Sequence, residues 1–228
     1  MKVAIFGDCH GYAPGLDVPT ADLMVNIVGS IDADLVLQVG DMCSYKPFPK
    51  PVYWIYGNRD SISMIKASEQ GETGIKNLFL IKTGKLLTLS IAGEEIKISG
   101  LNGAYDPIYY DHHREELGDD GLGYFVDEDI QKCLHLRGID IFLVHGCPSG
   151  LGFGREPDHG VPQIREILDR VRPRYMLCGH AHFFHQAEYS GCRICSLAEA
   201  KEEYYLLDTI SDSLGRVAIN PGNRSRGY

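Results

Sequence analysis

Polar side chains of only three types follow the apolar runs of this sequence. The runs end at Gly7, Gly40, Gly57, Val144 and Gly179, and the side chains that follow them are Asp8, His10, Asp41, Asn58, His145, His180 and His182. Asp, Asn and His supply oxygen and imidazole donors, the set that suits Mn, Fe, Zn or Ni. One such strand end is commonplace, but five in succession predict a metal site.

The elements between these residues alternate in type. VAIFG (3–7) and LVLQVG (35–40) predict buried strands, and the stripe Leu23, Met24, Ile27, Val28 and Ile31 between them predicts a helix capped by Thr20. A strand, a helix and a strand of this kind form a βαβ unit with parallel strands. Parallel strands open a ligand crevice at their carboxyl ends.

The remaining elements continue this pattern. The predicted strands are 52–57, 141–146, 175–180, 193–197 and 204–208, a hairpin covers 85–100, and helices cover 61–70, 127–137 and 162–171. The stretch 101–125 is polar, aromatic and rich in glycine, which predicts a long surface excursion with a functional role. No linker divides the chain, so residues 1–228 are predicted to form a single domain.

Composition narrows the class of protein. The 228 residues carry a net charge of −9, with 44% hydrophobic and 23% charged residues. That charge argues against a protein that binds nucleic acid through broad counterion release. No apolar run is long enough to span a membrane, and the N-terminus lacks the layout of a signal peptide, so we expect a cytoplasmic protein with no membrane partner. Seven cysteines without an export signal predict reduced thiols.

Five short motifs resemble those of a known superfamily. GDCH (7–10), GD (40–41), GN (57–58), LVHGCP (143–148) and GHAH (179–182) are similar to the motifs of calcineurin-like metallophosphoesterases. The resemblance implies an α/β fold, a four-layer α/β/β/α sandwich with two metals at one edge of the sheets. LNGAY (101–105) and HGCP are also similar to lariat-debranching-enzyme-like members.

The resemblance also implies a ligand set and a reaction. One metal would take Asp8, His10 and His182, the other would take Asn58, His145 and His180, and Asp41 would bridge both. The cofactors implied are two divalent or mixed-valence transition metal ions, with manganese favoured over iron, zinc or nickel. Such a pair clamps phosphate oxygens and generates a hydroxide between the ions that attacks phosphorus in line. The expected activity is that of a phosphodiesterase rather than a phosphomonoesterase.

One position departs from the superfamily pattern. Where these proteins usually carry a histidine after the Asn, this sequence has Arg59, followed by the usual acid, Asp60. An arginine keeps its proton and cannot be a general acid, but it can hold a phosphate oxygen. We therefore predict Arg59 and Asp60 as catalytic residues, the alternative being that Arg59 pairs with Asp60 or faces solvent. A substitute acid could be His112, His113 or His185, although the first two are better interpreted as surface residues, and His159 is expected to be exposed.

Two alternative functions remain open. A protein-binding scaffold with this fold has no chemical need to keep all seven donors, and this chain has them all. A nucleic-acid-processing enzyme needs a basic path for its substrate, and Arg114, Arg155, Arg165 and Arg224 are too scattered to indicate one. The substrate is thus predicted to be a phosphate ester, with nucleotide-derived compounds and nucleic acids both open. The oligomeric state is not predicted. Cys9, Cys43, Cys147 and Cys178 are interpreted as small buried residues behind the site.

Overall fold

The computed structural model describes residues 1–13, 15, 17–91, 93–153 and 160–219, and within these residues the strands form two six-stranded sheets. The strands are β1 Lys2–Phe6, β2 Leu35–Val39, β3 Val52–Ile55, β4 Leu78–Leu80, β5 Leu87–Ile91, β6 Glu94–Leu101, β7 Ile141–Val144, β8 Tyr175–His182, β9 His185–Tyr189, β10 Cys192–Ala198, β11 Glu203–Asp208 and β12 Ser213–Ala218. The first sheet has the order β12-β11-β1-β2-β3-β4, and the second has the order β5-β6-β7-β8-β10-β9.

Each sheet has a parallel centre. β1 to β4 run parallel in the first sheet, and β6, β7, β8 and β10 run parallel in the second. The remaining strands, β5, β9, β11 and β12, join through antiparallel pairs. The parallel strands therefore deliver their carboxyl ends to one edge of each sheet, as the βαβ pattern predicts. The sequence pattern did not predict the edge strands β4, β9 and β12, which are short or only half buried.

The longer helices are α1 Thr20–Ser30, α2 Ile62–Gln70, α4 Asp127–Leu134 and α5 Pro162–Val171, with the short α3 Pro107–Tyr110 in the excursion. Ser61 caps α2 by accepting a hydrogen bond from the Met64 N–H, and α5 starts at Pro162 as predicted. Thr20 does not cap α1. It is the first helical residue, and its hydroxyl donates to the Gly11 carbonyl at 3.0 Å. The helix α4 ends three residues before the predicted limit of 137, and Arg137 donates to the Leu134 and Leu136 carbonyls there.

Three buried clusters define the layers. The first cluster lies between the sheets and combines residues such as Ile5 and Leu37 of the first sheet with Ile98 and Leu177 of the second. The second covers the outer face of the second sheet with α4 and α5. The third covers the outer face of the first sheet with α1 and α2. This arrangement confirms the predicted α/β fold, two sheets flanked by helices on both sides.

The predicted surface excursion is shorter than 101–125. Residues 101–104 are buried and continue β6, and Phe125 is buried at the other end. The Asn102 amide lies inside, where its oxygen accepts from the Tyr56 N–H and its nitrogen donates to the Ile81 carbonyl. His112 and His113 are exposed, and His113 pairs with Glu128 on the surface at 2.6 Å. His159 and Arg155 lie outside the described residues. Among the described helices, none is long and apolar enough to cross a bilayer.

Gly100 lies at a close contact between the two sheets. A Cβ at this position would lie 2.9 Å from the Leu143 carbonyl oxygen and 2.9 Å from Cγ2 of Ile55, which belongs to the other sheet. There is therefore no room for a methyl group without moving the backbone.

We expect Gly100→Ala to lower the free energy of unfolding by about 1–3 kcal/mol, because the added methyl overpacks the contact between strands and sheets. Urea unfolding measures this change. The matched control is Gly118→Ala, since that position has a φ of −67° and no atom within 4 Å of the added Cβ. Equal stability of the two variants would contradict this account of Gly100.

Candidate metal centre

The residues predicted as metal ligands converge where the two sheets meet at their carboxyl ends. Two groups of donors have all their ligand atoms within 4.8 Å of one another: Asp8, His10 and His182, and Asp8, Asp41 and His145. Asp8 and His10 follow β1 and Asp41 follows β2 in the first sheet, whereas in the second sheet His145 follows β7 and His182 ends β8. Residues as far apart in sequence as His10 and His182, 172 positions, are thus brought to one point.

The first group surrounds one carboxylate oxygen. Oδ2 of Asp8 lies 2.8 Å from Nε2 of His182 and 3.9 Å from Nε2 of His10, and the two imidazole nitrogens are 3.2 Å apart. Asp8 is 1% exposed, and Oδ2 accepts no hydrogen bond of suitable geometry among the described residues, although Nε2 of His182 lies close to it. The other oxygen, Oδ1, accepts from the His180 backbone N–H at 3.1 Å. A buried anionic oxygen without a donor fits a cation between these side chains.

The second group places a buried imidazole against a buried carboxylate. His145 is fully buried, and its Nδ1 lies 2.9 Å from the Val39 carbonyl oxygen, which leaves Nε2 facing Oδ1 of Asp41 at 3.3 Å. Although burial lowers it, the nearby Asp8 and Asp41 carboxylates raise the pKa of His145 to about 9. The same pairing lowers the pKa of Asp41, against the effect of burial. The carboxylates thus attract a positive charge at Nε2, which a proton or a cation can supply.

Asn58 and His180 lie beside these groups. Oδ1 of Asn58 is buried and, within the described part of the chain, has no hydrogen-bond partner. The His180 ring meets the His145 ring edge-on, with the centroids 5.1 Å apart. His180 is outside both groups of donors. All seven predicted residues therefore surround one region, with six buried or half-buried and His180 at the rim.

The backbone of the site is held in a rare conformation. Asp41, His180 and His182 have φ values of 53°, 65° and 59°, in the left-handed region that non-glycine residues seldom occupy. At Gly57 a Cβ would lie 2.3 Å from Oδ1 of Asp41 and 2.4 Å from Nε2 of His145, so only glycine fits. Strain of this kind persists where the surrounding contacts fix it, which is typical of functional sites.

Asp60 supports the site from behind. It is 4% exposed, and its two oxygens accept from the backbone N–H groups of Asp41, Gly57 and Cys43 and from the Tyr45 hydroxyl, at 2.6 to 3.1 Å. These contacts use its hydrogen-bonding capacity on the loops that carry Asp41 and Asn58. The sequence placed Asp60 at the site, but not in this supporting position.

Glu199 is a site residue that sequence reasoning missed. Its Oε1 lies 3.2 Å from Nδ1 of His10, the ring nitrogen that faces away from Asp8, and Lys201 pairs with the same oxygen at 2.8 Å. A carboxylate on the far nitrogen orients a ligating imidazole. Glu199 follows β10, outside all five motifs, so no spacing signal pointed to it.

Arg59 and Cys43 lie at the exposed side of the site. The Arg59 backbone N–H donates to Oδ1 of Asp41 at 2.8 Å, while its side chain is exposed and makes no ion pair with Asp60. The contact with Asp8 raises the pKa of His182, and burial raises the pKa of the Cys43 thiol. In both cases the positive charge of Arg59 acts in the opposite direction. The alternative in which Arg59 pairs with Asp60 is therefore wrong, because backbone donors and Tyr45 already surround that carboxylate.

The cysteines near the site are all free thiols. Cys9, Cys147 and Cys178 are buried, as predicted. The prediction for Cys43 is wrong, because this residue is exposed on a left-handed turn with a φ of 57° that directs it away from the core.

Proteins similar to this chain were found by sequence and by structure. The lariat debranching enzyme of Schizosaccharomyces pombe is 24% identical over 232 residues, covering 80% of this chain and 48% of that protein. This chain thus spans about half the length of that curated relative.

Solved structures share the fold at lower identity. TT1561 of Thermus thermophilus has a TM-score of 0.66 at 13% identity and covers 96% of this chain and 99% of its own. GAP50 of Plasmodium, described as the anchor in the inner membrane complex, has a TM-score of 0.56 at 9% identity and covers 98% and 90%. The sequence model of calcineurin-like phosphoesterases matches residues 1–184. The chain therefore belongs to the calcineurin-like phosphoesterase family.

Proposed function

We propose that this protein is a dinuclear metal-dependent phosphodiesterase, built as a single domain. The observation that carries the proposal is the convergence of Asp8 and Asp41, each with a buried oxygen that accepts no hydrogen bond in the described chain, on His145 and His182 from the other sheet. Two divalent cations held by these side chains would neutralise the charge of a phosphate ester and lower the pKa of a bound water. Oxygen and imidazole donors suit manganese, with iron, zinc or nickel as alternatives.

The chain's own residues divide the remaining tasks. In the proposed ligand set, Asp8, His10 and His182 would hold one cation, Asn58, His145 and His180 would hold the other, and Asp41 would be shared. The structure groups Asp8 with His10 and His182, and groups Asp41 with Asp8 and His145. The Val39 carbonyl and Glu199 fix the far nitrogens of His145 and His10, which sets which nitrogen faces the site. Asp60 positions the loops, so we assign it a positioning role rather than contact with substrate.

The second candidate is a protein-binding scaffold with a degraded site. A scaffold has no use for buried, unpaired carboxylate oxygens, which cost several kcal/mol of folding free energy unless a cation compensates them. Here Asp8 and Asp41 each have a buried carboxylate oxygen that accepts no hydrogen bond in the described chain. This cost favours the enzyme. The substrate is a phosphate ester, and the preference for diesters is part of the proposal.

Asp41→Asn should lower the bound metal from roughly two ions per chain to less than one, because the carboxylate shared by both ions loses its charge. Elemental analysis after dialysis measures the content. The control is Asp32→Asn, the same change at the exposed opposite end of β2. Two full-occupancy ions in Asp41→Asn would contradict the bridging role.

Asp60→Ala should lower the free energy of unfolding by about 2–4 kcal/mol, since it leaves buried N–H groups without an acceptor. Tyr45→Phe, which removes only one of the donors to Asp60, should cost about 1 kcal/mol. Denaturant unfolding of metal-free protein compares the two. A loss no larger than that of Tyr45→Phe would remove Asp60 from the supporting role.

The chemistry of Arg59 predicts the dependence on the leaving group. A guanidinium holds a charged phosphate oxygen but has no proton to give, so the leaving oxygen departs as an anion or takes a proton from elsewhere. We expect rates to rise steeply as the leaving-group pKa falls, with nitrophenyl esters cleaved readily and alkyl esters slowly. Arg59→His should flatten this dependence, because imidazole can both contact and protonate the oxygen.

Arg59→Ala should lower kcat/KM about ten- to a hundredfold for every substrate, since all share the lost charge-assisted contact. Rates over a series of leaving groups for the three proteins test both statements. A shallow dependence in the parent would assign the proton to another group. The first to examine is His185, three residues after His182, with its ring centroid 4.9 Å from that of Phe153. Unchanged rates in Arg59→Ala would show that its exposed side chain does not contact the substrate.

A further inference from the structure

A cavity of ≈ 660 Å³ lies between α2, the β4–β5 connection, the excursion and α4. Five cationic side chains line it: Lys66, Lys82, Lys85, Arg114 and Lys132. Only two acidic residues, Glu69 and Asp129, do so. We call this cavity the basic crevice. Its volume is in the range of sites for small molecules, and its surplus of positive charge contrasts with a protein whose net charge is −9.

The acidic residues leave this surplus largely intact. Asp129 is 3% exposed and pairs with both Arg114 and Lys132, so its single charge meets two cations. Lys66 pairs with Asp119, which is 67% exposed and does not line the crevice. The Lys82 ammonium donates to the Glu69 backbone carbonyl and not to a carboxylate. Among the described residues, Lys85 has no ion-pair partner, so Lys82 and Lys85 present charges that an anion can meet.

The basic crevice starts next to the candidate metal centre. Tyr56 lines it, and the chain continues from Tyr56 through Gly57 directly to Asn58. On the other wall is Leu122, followed by Gly123, whose Cβ position would be 3.1 Å from the Asn58 Cα. The basic crevice and the candidate metal centre therefore adjoin at the contact between Gly123 and Asn58, over which a chain of phosphates with one group at the metal centre would pass.

We propose that the basic crevice binds the non-reacting phosphates of the substrate, which makes the substrate a phosphodiester chain with more than one phosphate, as in an oligonucleotide. This inference rests on the proposed phosphodiesterase function. Lysine and arginine are the side chains that hold phosphate in water, Lys as a point charge and Arg as a fork. A simple diester with one phosphate fills the metal centre and leaves the surplus positive charge of the basic crevice, chiefly that of Lys82 and Lys85, without an anion.

The test is a series of p-nitrophenyl 5′-esters of mono-, di- and trithymidylate, which carry one, two or three phosphates with the same leaving group. In the parent, kcat/KM for nitrophenolate release should rise at least about tenfold along the series, chiefly through KM, and the rise should shrink at high salt. In the double variant Lys82→Gln/Lys85→Gln the rise should fall below about threefold. The control Lys76→Gln makes the same change at the other end of β4, at an exposed position, and should keep the full rise.

A flat series in the parent, or a rise that the double variant retains, would overturn the proposal while leaving the phosphodiesterase function in place. Binding of trithymidylate to the metal-free protein, followed by calorimetry, separates the two failures. If no ester is cleaved, the phosphodiesterase function fails, and the basic crevice stands only if the parent binds trithymidylate about tenfold more tightly than the double variant. Binding of inorganic tripolyphosphate together with a flat series would assign the crevice to a free anion and overturn its role in substrate binding.

Discussion

The burial of two carboxylates at one point is the constraint on which the site depends. Asp8 and Asp41 are each 1% exposed, and each keeps an oxygen without a hydrogen-bond donor in the described chain. An uncompensated buried anion costs several kcal/mol, so the surrounding structure must supply positive charge or dipoles. The backbone N–H groups of His180 and Arg59 donate to these two carboxylates, and the raised pKa of His145 favours a positive charge beside them. Three candidate ligands adopt left-handed backbone turns at this point.

This constraint also explains why both sheets contribute residues to the site. The first sheet contributes both carboxylates, and the second contributes three of the four imidazoles. The compensating groups come from both sheets. Arg59, which follows β3 of the first sheet, donates to Asp41, whereas the hydrogen bonds from His180 to Asp8 and between His145 and Val39 cross from one sheet to the other. The two sheets must therefore pack correctly against each other for the buried charges to be compensated. Gly57 leaves space for Asp41 and His145 to approach, and Gly40 and Gly179 leave space around the same imidazole.

The sequence predicted the fold class and the position of the site because both depend on local patterns. Apolar runs identify the buried parallel strands, and parallel strands bring the residues after them to one edge. Glu199, the support from Asp60 and the basic crevice were beyond reach, since each depends on contacts between distant segments. Arg114 appeared isolated in sequence, yet it lies with four lysines from α2, the β4–β5 connection and α4. Cys43 was misjudged because its exposure follows from a turn with positive φ, which a non-glycine residue does not signal.

The pairing of β1 has a consequence for how the chain folds. β1 lies between β2 and β11, so the strand from Lys2 to Phe6 has one partner early in the chain and another about 200 residues later. Until β11 is available, β1 is an open edge of apolar residues, which is a template for pairing with other chains. Contacts of such long sequence separation slow folding. A growing chain thus carries an aggregation-prone edge until Glu203–Asp208 has been made and can pair with β1.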